Sequence, residues 1–446
     1  MKKHLNTSIK NFVLILSVSL LATACQKAAV EYEKKLKPEV MVSAGMIQKD
    51  TIRFSSDTVY VVAANIVRNA GQLLEIEKGT LIKMRDRLSI TINPGAAIKA
   101  EGSASEPIVF TSAAVTAGAG VVGTDGSGTH FWYGIRVIGN ASAQPQSNSG
   151  VLKFVRIEFA GGDENFSGTP SLLLNNVGSG TEINHIQVSY SFETSSFEFR
   201  GGTCNASNLV SYASGDYDYY IEGGYTGKLQ FLVAYRHPFF PINLVPPRLA
   251  GMFINGDKSN PVISNLSVIG PDLQQGVSFA YTQRNPDASL VVSGGAKFQM
   301  RNSLLAGFPR GGIHMNNRIS SVALNNGAST FDYSVVHASD SNRVFFLPNG
   351  VYPPFNSKDF KEFMLSAQFT NKTVQQMNDL KLLFLFEYEK EIPRPAAGSL
   401  LLNGSGFGGP VFSDPFFKQV NFVGAVGEED WFAGWTNLTP LQTKYN

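Results

Sequence analysis

Cysteine is almost missing from this chain of 446 residues: there are two, Cys25 and Cys204. Two cysteines cannot build a disulfide framework, and the second has no partner once the first is otherwise engaged. Charge is also scarce, at 16% of residues with a formal net charge of +2. No stripe of clustered Lys and Arg appears, which argues against nucleic acid as a partner. The six histidines are thinly spread, with His185, His237, His314 and His337 far apart and no HExxH or Cys/His cluster. A zinc centre therefore has no ligand set. No glycine-rich phosphate loop lies between a strand and a helix, and Gly404-Ser405-Gly406 is only a fragment of a nucleophile elbow. The longest apolar run, Phe12 to Leu21, is too short for a convincing membrane span.

What the chain does have is glycine, with 43 residues, and aromatics, with 32 Phe and 15 Tyr. It also has a period. Val188-Ser189-Tyr190, Val210-Ser211-Tyr212 and Val233-Ala234-Tyr235 follow one another at offsets of 22 and 23 residues. Between them, Phe197-Glu198-Phe199-Arg200-Gly201-Gly202 and Tyr219-Tyr220-Ile221-Glu222-Gly223-Gly224 repeat at 22. Strands in fixed register at this spacing predict stacked coils of a β-solenoid. Leu74–Lys83 and Ile90–Lys99 share the grammar of strand, turn glycine, strand, around Gly79 and Gly95. Residues 58–350 then hold about ten turns.

Alternation assigns the faces of each strand. Phe197 and Phe199 point inward above Tyr219 and Ile221; Glu198 and Arg200 point outward above Tyr220 and Glu222, where Arg200 and Glu222 form a surface ion pair. The Tyr190, Tyr212 and Tyr235 column is read as an aromatic ladder in the core rather than an exposed sugar-stacking row. Cys204 follows a Gly-Gly corner and is expected to pack as a small hydrophobe.

The ends differ from the middle. Lys2, Lys3 and Lys10 precede the apolar run, which ends Leu21-Ala22-Thr23-Ala24-Cys25. This is export grammar, and the ending resembles a bacterial lipobox in which the cysteine is lipidated. Residues 1–24 are thus expected to be a lipoprotein signal peptide, 25–57 a mobile tether, 58–350 the β-helix, and 351–446 a helix-containing insertion with a capping segment. The helix is placed over Asn371–Leu380, and the Gly-, Phe- and Trp-rich tail from Pro393 is expected to close the open end of the solenoid.

Several stretches resemble a family of exported right-handed parallel β-helix proteins common in Bacteroidetes and mostly described by fold alone. They are Glu106–Ser112, Trp132–Ala141, Gly150–Gly161, Val177–Ser191, Gly223–Arg236 and Gly424–Asn437. The resemblance implies an all-β, single-stranded right-handed parallel β-helix and export. It brings no established reaction.

Among the acids, Asp216 and Asp218 stand at i, i+2, and Glu193 lies 23 residues before Asp216. Such a set is what a glycosidase or lyase would need on one groove. Together with Glu222, Asp216 and Asp218 are also the candidates for a hard cation such as Ca²⁺, the only cofactor considered. The bland alternative is a pair of solvated turn aspartates. The favoured reading is a lipid-anchored outer-membrane module that binds, adheres or scaffolds, with glycans, extracellular polymers or a surface protein as partners. The second is a polysaccharide lyase or hydrolase using Asp216 and Asp218. The tetrad Gln26-Lys27-Ala28-Ala29 lacks an acidic surface-export run, so cell surface and periplasmic face stay open.

Overall fold

The architecture follows from one requirement: short strands with apolar side chains on one side must stack on copies of themselves. The computed structural model describes residues 36–115, 131–162, 169–192, 194–237, 250–272, 288–309, 311–352 and 355–445. The export segment, Cys25 and Glu193 lie outside them. Pro38–Tyr445 form one unit. Its strands build two parallel sheets, one of 17 strands and one of 10. Each coil contributes one strand to the smaller sheet and one strand, or two short ones, to the larger. The result is the expected right-handed parallel β-helix.

The smaller sheet shows how sequence sets register. Leu172, Phe197, Tyr219, Met252 and Leu290 occupy one inward column, each paired with the next along the stack. Phe197 and Tyr219 stack at 5.2 Å between ring centroids. The inward assignments for Phe197, Phe199, Tyr219 and Ile221 are met, as is the outward Arg200–Glu222 ion pair at 2.9 Å. Cys204 is buried, and burial pushes its thiol up to about 12, so it behaves as a packed hydrophobe.

The larger sheet bends once per coil. Phe154, His185, Asn208, Phe231, Asn265, Asn302 and Tyr333 all have φ between 48° and 57° and follow one another up the stack. Each interrupts the pairing of its strand, as between Asn184 and Ile186 or between Ser207 and Leu209. A left-handed residue there shifts the alternation, so that Ile183 and Ile186 both reach the core. Among residues with a side chain, asparagine tolerates this conformation best. Phe154 and His185, neighbours in this column, stack their rings at 4.3 Å.

Four expectations need correction. The tether reaching to residue 57 is shorter, because Glu39–Val42 pairs with Val59–Val62 and Thr51–Phe54 pairs with Leu73–Ile76. Val42, Ile52 and Phe54 bury in the first coil, a stronger pull than the polar residues between them oppose. The helix expected over Asn371–Leu380 is instead a strand, Lys372–Thr373, and a 3-10 turn, Met377–Leu380. The helix lies at Ser357–Met364, started by a capping box of Asn356 and Asp359, and its Phe360 and Met364 plug the C-terminal end of the core.

The tail therefore does not close that end. It runs back along the outward face of the larger sheet, held by side-chain amides of successive coils. Gln230 clamps the backbone of Lys418 through both its nitrogen and its oxygen, at 2.7 and 2.8 Å, and Gln187 does the same to Asn437, at 2.7 Å for both bonds. Asn265 donates to the carbonyls of Phe422 and Gly424, and Asn302 accepts from the Gly406 N–H. Beneath this strap lies a second apolar core containing Val210, Val233, Ile269 and Leu304 from the sheet and Val423, Phe432 and Trp435 from the tail.

The tyrosine ladder belongs to this second core. Tyr190, Tyr212 and Tyr235 are buried, but on the outward face, with Tyr388 stacked on Tyr235 at 5.3 Å. Their register also differs from the expected one: Ser189, not Tyr190, pairs with Tyr212. The pairing offset is 23 on both sides of His185 and Asn208, one residue more than the 22 that separates Tyr190 from Tyr212 in sequence.

Candidate functional site

Outward positions of the smaller sheet stay uncovered by the strap. In one column stand Leu173, Glu198, Tyr220, Phe253 and Val291; in the next stand Asn175, Arg200 and Glu222. Strand pairing therefore sets an aromatic half beside a charged half. Tyr220 and Phe253 stack with rings 5.4 Å apart and 12° from parallel, and Tyr217 packs on Phe253 at 4.9 Å.

In the charged half one guanidinium serves two carboxylates. Arg200 reaches Glu198 at 2.5 Å and Glu222 at 2.9 Å, and the Tyr220 hydroxyl donates to the other Glu222 oxygen at 2.6 Å. Glu198 is only 3% exposed. Burial pushes its carboxyl up to about 7, with Arg200 pulling it down and the Glu222 charge adding to the rise. Burial and the bond to Glu222 likewise raise the Tyr220 hydroxyl. Burial thus makes Glu198 hold a proton more readily than an exposed carboxyl does, beside a second carboxyl that shares its arginine.

Beyond Arg200 the strands end in glycine pairs. Gly201 and Gly202 have φ of 63° and 85°, and Gly223 and Gly224 repeat this at 63° and 84°. A Cβ on Gly202 would sit 2.5 Å from the Val177 carbonyl oxygen. Glycine is required there by conformation and by space. The bare backbone floors an open groove of about 560 Å³, with Arg200 and Lys258 as its cations and Asn175 and Thr226 among its polar walls.

The acids singled out from sequence lie elsewhere. Asp218 is turned into the coil, 0% exposed, where it pairs with the equally buried Arg236 at 2.8 Å and accepts from Ser211 at 2.6 Å. Burial raises its carboxyl to about 6, against the pull of Arg236 and Ser211. Arg236 also donates to the carbonyls of Ser214, Asp216 and Ala250, tying adjacent corners together. Asp216 is half-buried and contributes its backbone to that lock. Asp218 inside and Glu222 outside cannot ligate one ion, so the proposed cation set of Asp216, Asp218 and Glu222 is not assembled. No group of three His, Cys, Asp or Glu fit to hold a metal occurs among the described residues. Glu193 lies outside those residues.

Sequence reasoning passed over Glu198, Tyr220 and Phe253. The signal was present: Glu198 and Glu222 are outward acids on adjacent coils, joined by an outward arginine. A surface ion pair such as Arg200–Glu222 is ordinarily solvated and weak, whereas Glu198 beside it is buried.

A family model described as a pectate-lyase-like β-helix domain matches residues 45–345, and the chain belongs to that family. This bears out the parallel β-helix part of the resemblance. No curated protein and no solved structure matches the chain.

Proposed function

We propose that this pectate-lyase-like β-helix protein is an exported envelope module, of the Bacteroidetes kind, that binds glycans through the outward face of its smaller sheet. The observation that carries the reading is the stack of Tyr217, Tyr220 and Phe253 beside Glu198, Arg200 and Glu222. Aromatic faces pack on the apolar faces of sugar rings, while carboxylates and a guanidinium satisfy hydroxyls or acidic substituents. The groove floored by glycine backbone extends that surface along the stack. The family description supports a carbohydrate-related role. The sequence Leu21-Ala22-Thr23-Ala24-Cys25 supports anchoring by a lipid on Cys25 at the outer membrane.

The test is affinity electrophoresis and calorimetry against a panel of neutral and acidic polysaccharides. Wild type should bind at least one polymer, and the Tyr220→Ala/Phe253→Ala double variant should lose that binding while keeping its fold. Retained binding in the double variant would remove this face from consideration.

A second reading, cleavage of the bound glycan, is favoured by one observation: Glu198, raised to about 7, shares Arg200 with a second carboxyl, Glu222. In it Glu198, not Asp218, is the proton donor and Glu222 the second carboxyl. New reducing ends from a bound polymer, absent in Glu198→Gln, would establish it. Binding with no product after long incubation would dismiss it.

A further inference from the structure

The strap does not lie flat on the larger sheet along its whole length. Between the clamps at Gln187 and Gln230 it stands off, enclosing a pocket of about 730 Å³. That volume suits a small ligand of one or two rings. The floor is three successive members of the left-handed column, His185, Asn208 and Phe231, supplied by three coils. Phe422 and Trp431 of the strap wall the pocket, and Glu428 and Glu429 stand at its rim.

Asn208 is the informative residue. Its counterparts one and two coils beyond Phe231, Asn265 and Asn302, spend their amides on the strap backbone and on neighbouring side chains. The Asn208 side chain makes no hydrogen bond among the described residues, although it is half-buried and lines the cavity. A planar amide offers donors and an acceptor together, which is what a sugar hydroxyl requires. The aromatic walls are held in place: the Trp431 indole N–H donates to the Ala425 carbonyl at 2.9 Å, and Phe422 packs on Phe231 at 6.1 Å. His185, lowered to about 4 by burial and by Lys153, is an uncharged part of the floor. With two rim carboxylates and Lys418 as the one lining cation, the pocket has no cradle for phosphate.

From this we infer a second binding site, separate from the face described above, that takes a neutral mono- or disaccharide under the strap. The ring stacks on Trp431, Asn208 hydrogen-bonds a buried hydroxyl, and Glu428 and Glu429 accept from hydroxyls at the mouth. The site stands on its own geometry and holds whether or not the outward face binds a polymer.

Trp431 also supplies the readout, since Trp132 and Trp435 are fully buried. Intrinsic fluorescence of the full chain would be titrated with glucose, galactose, mannose, N-acetylglucosamine and their β-linked disaccharides. At least one should give a saturable change at millimolar concentration. Asn208→Gly, which suits the left-handed backbone and so should fold, is expected to weaken it about 3- to 10-fold, the worth of a neutral hydrogen bond. Gly427→Ala, whose Cβ would meet the Phe422 ring at 2.6 Å, should push that wall inward and exclude the disaccharides first. Tyr220→Ala/Phe253→Ala should leave the titration unchanged, which separates this site from the polymer face. No saturable response to any sugar, equal affinity in Asn208→Gly, or a response only to organic amines such as choline or spermidine would overturn the inference.

Discussion

Asp218 offers the sharpest test, because sequence assigned it chemistry and the structure gives it a lock. At neutral pH its carboxyl, held near 6, is ionised and sits against Arg236, both with no exposed surface. Removing one member of such a pair strands the other charge, at a cost of about 3–5 kcal/mol. Asp218→Ala should lose that amount. Arg236→Met should lose at least as much, since the carbonyls of Ser214, Asp216 and Ala250 also lose a donor. The double variant leaves no stranded charge and should be about 2 kcal/mol or more better than the sum of the single losses. The pH sense differs between the single variants. In Arg236→Met the abandoned carboxyl can take up a proton, so its loss should shrink from pH 7.5 to pH 5; in Asp218→Ala the guanidinium cannot neutralise and the loss should persist. Urea unfolding followed by far-UV circular dichroism at both pH values measures all of this. A loss below about 1 kcal/mol in Asp218→Ala, or strict additivity in the double variant, would refute the buried pair. Unchanged stability with abolished glycan binding would return Asp218 to the surface role that its sequence position first invited.

Other outcomes follow from the same geometry. Gly202→Ala should destabilise by about 2 kcal/mol or more in the same assay, since φ of 85° alone costs ~1–2 kcal/mol for a side chain and the Val177 carbonyl is in the way. Glu198 retains its proton up to about 7 when folded and releases it near 4.5 when unfolded, so its contribution falls as pH rises between those values. Glu198→Gln should flatten that slope, on the order of 3 kcal/mol across the window. Single Tyr220→Ala or Phe253→Ala should weaken polymer binding by about 2- to 10-fold, read by calorimetry. If the Cys25 lipid forms, Cys25→Ser should move the protein from the membrane pellet to the soluble fraction.

The smaller sheet was legible because its strands have no interruption. Phe197, Phe199, Tyr219 and Ile221 alternate cleanly, and a constant offset of 22 keeps their pairing right. The larger sheet was legible only in outline. One left-handed residue per coil, such as His185 or Asn208, changes which side chain faces inward, and asparagine or aromatic residues at those places do not announce a bend. The strap was illegible for a different reason: its anchors are amides 104 to 250 residues away in sequence, as in Asn302 to Gly406 and Gln187 to Asn437. Asp218 misled because periodicity reports register but not whether a corner residue turns in or out. Glu198 was placed on the right face and given too little weight, because exposure depends on Arg200 and Tyr220 folding over it.

The strap also changes what kind of polymer the folded chain is. Stacked repeats interact with nearest neighbours, so their unfolding can spread coil by coil from either end. Here the last residue described, Tyr445, donates to Glu158 at 2.6 Å across 287 residues, while Gly406 is fixed to Asn302. The coils between are laced from outside, so none can peel away without undoing contacts to the others. The same lacing orders assembly: the amides of Gln187, Gln230, Asn265 and Asn302 can grip only after their coils are stacked. A chain caught before that moment presents Val210, Val233 and the three tyrosines as an open apolar stripe, and its final fifty or so residues decide whether the stripe is sealed by its own tail or by a stranger.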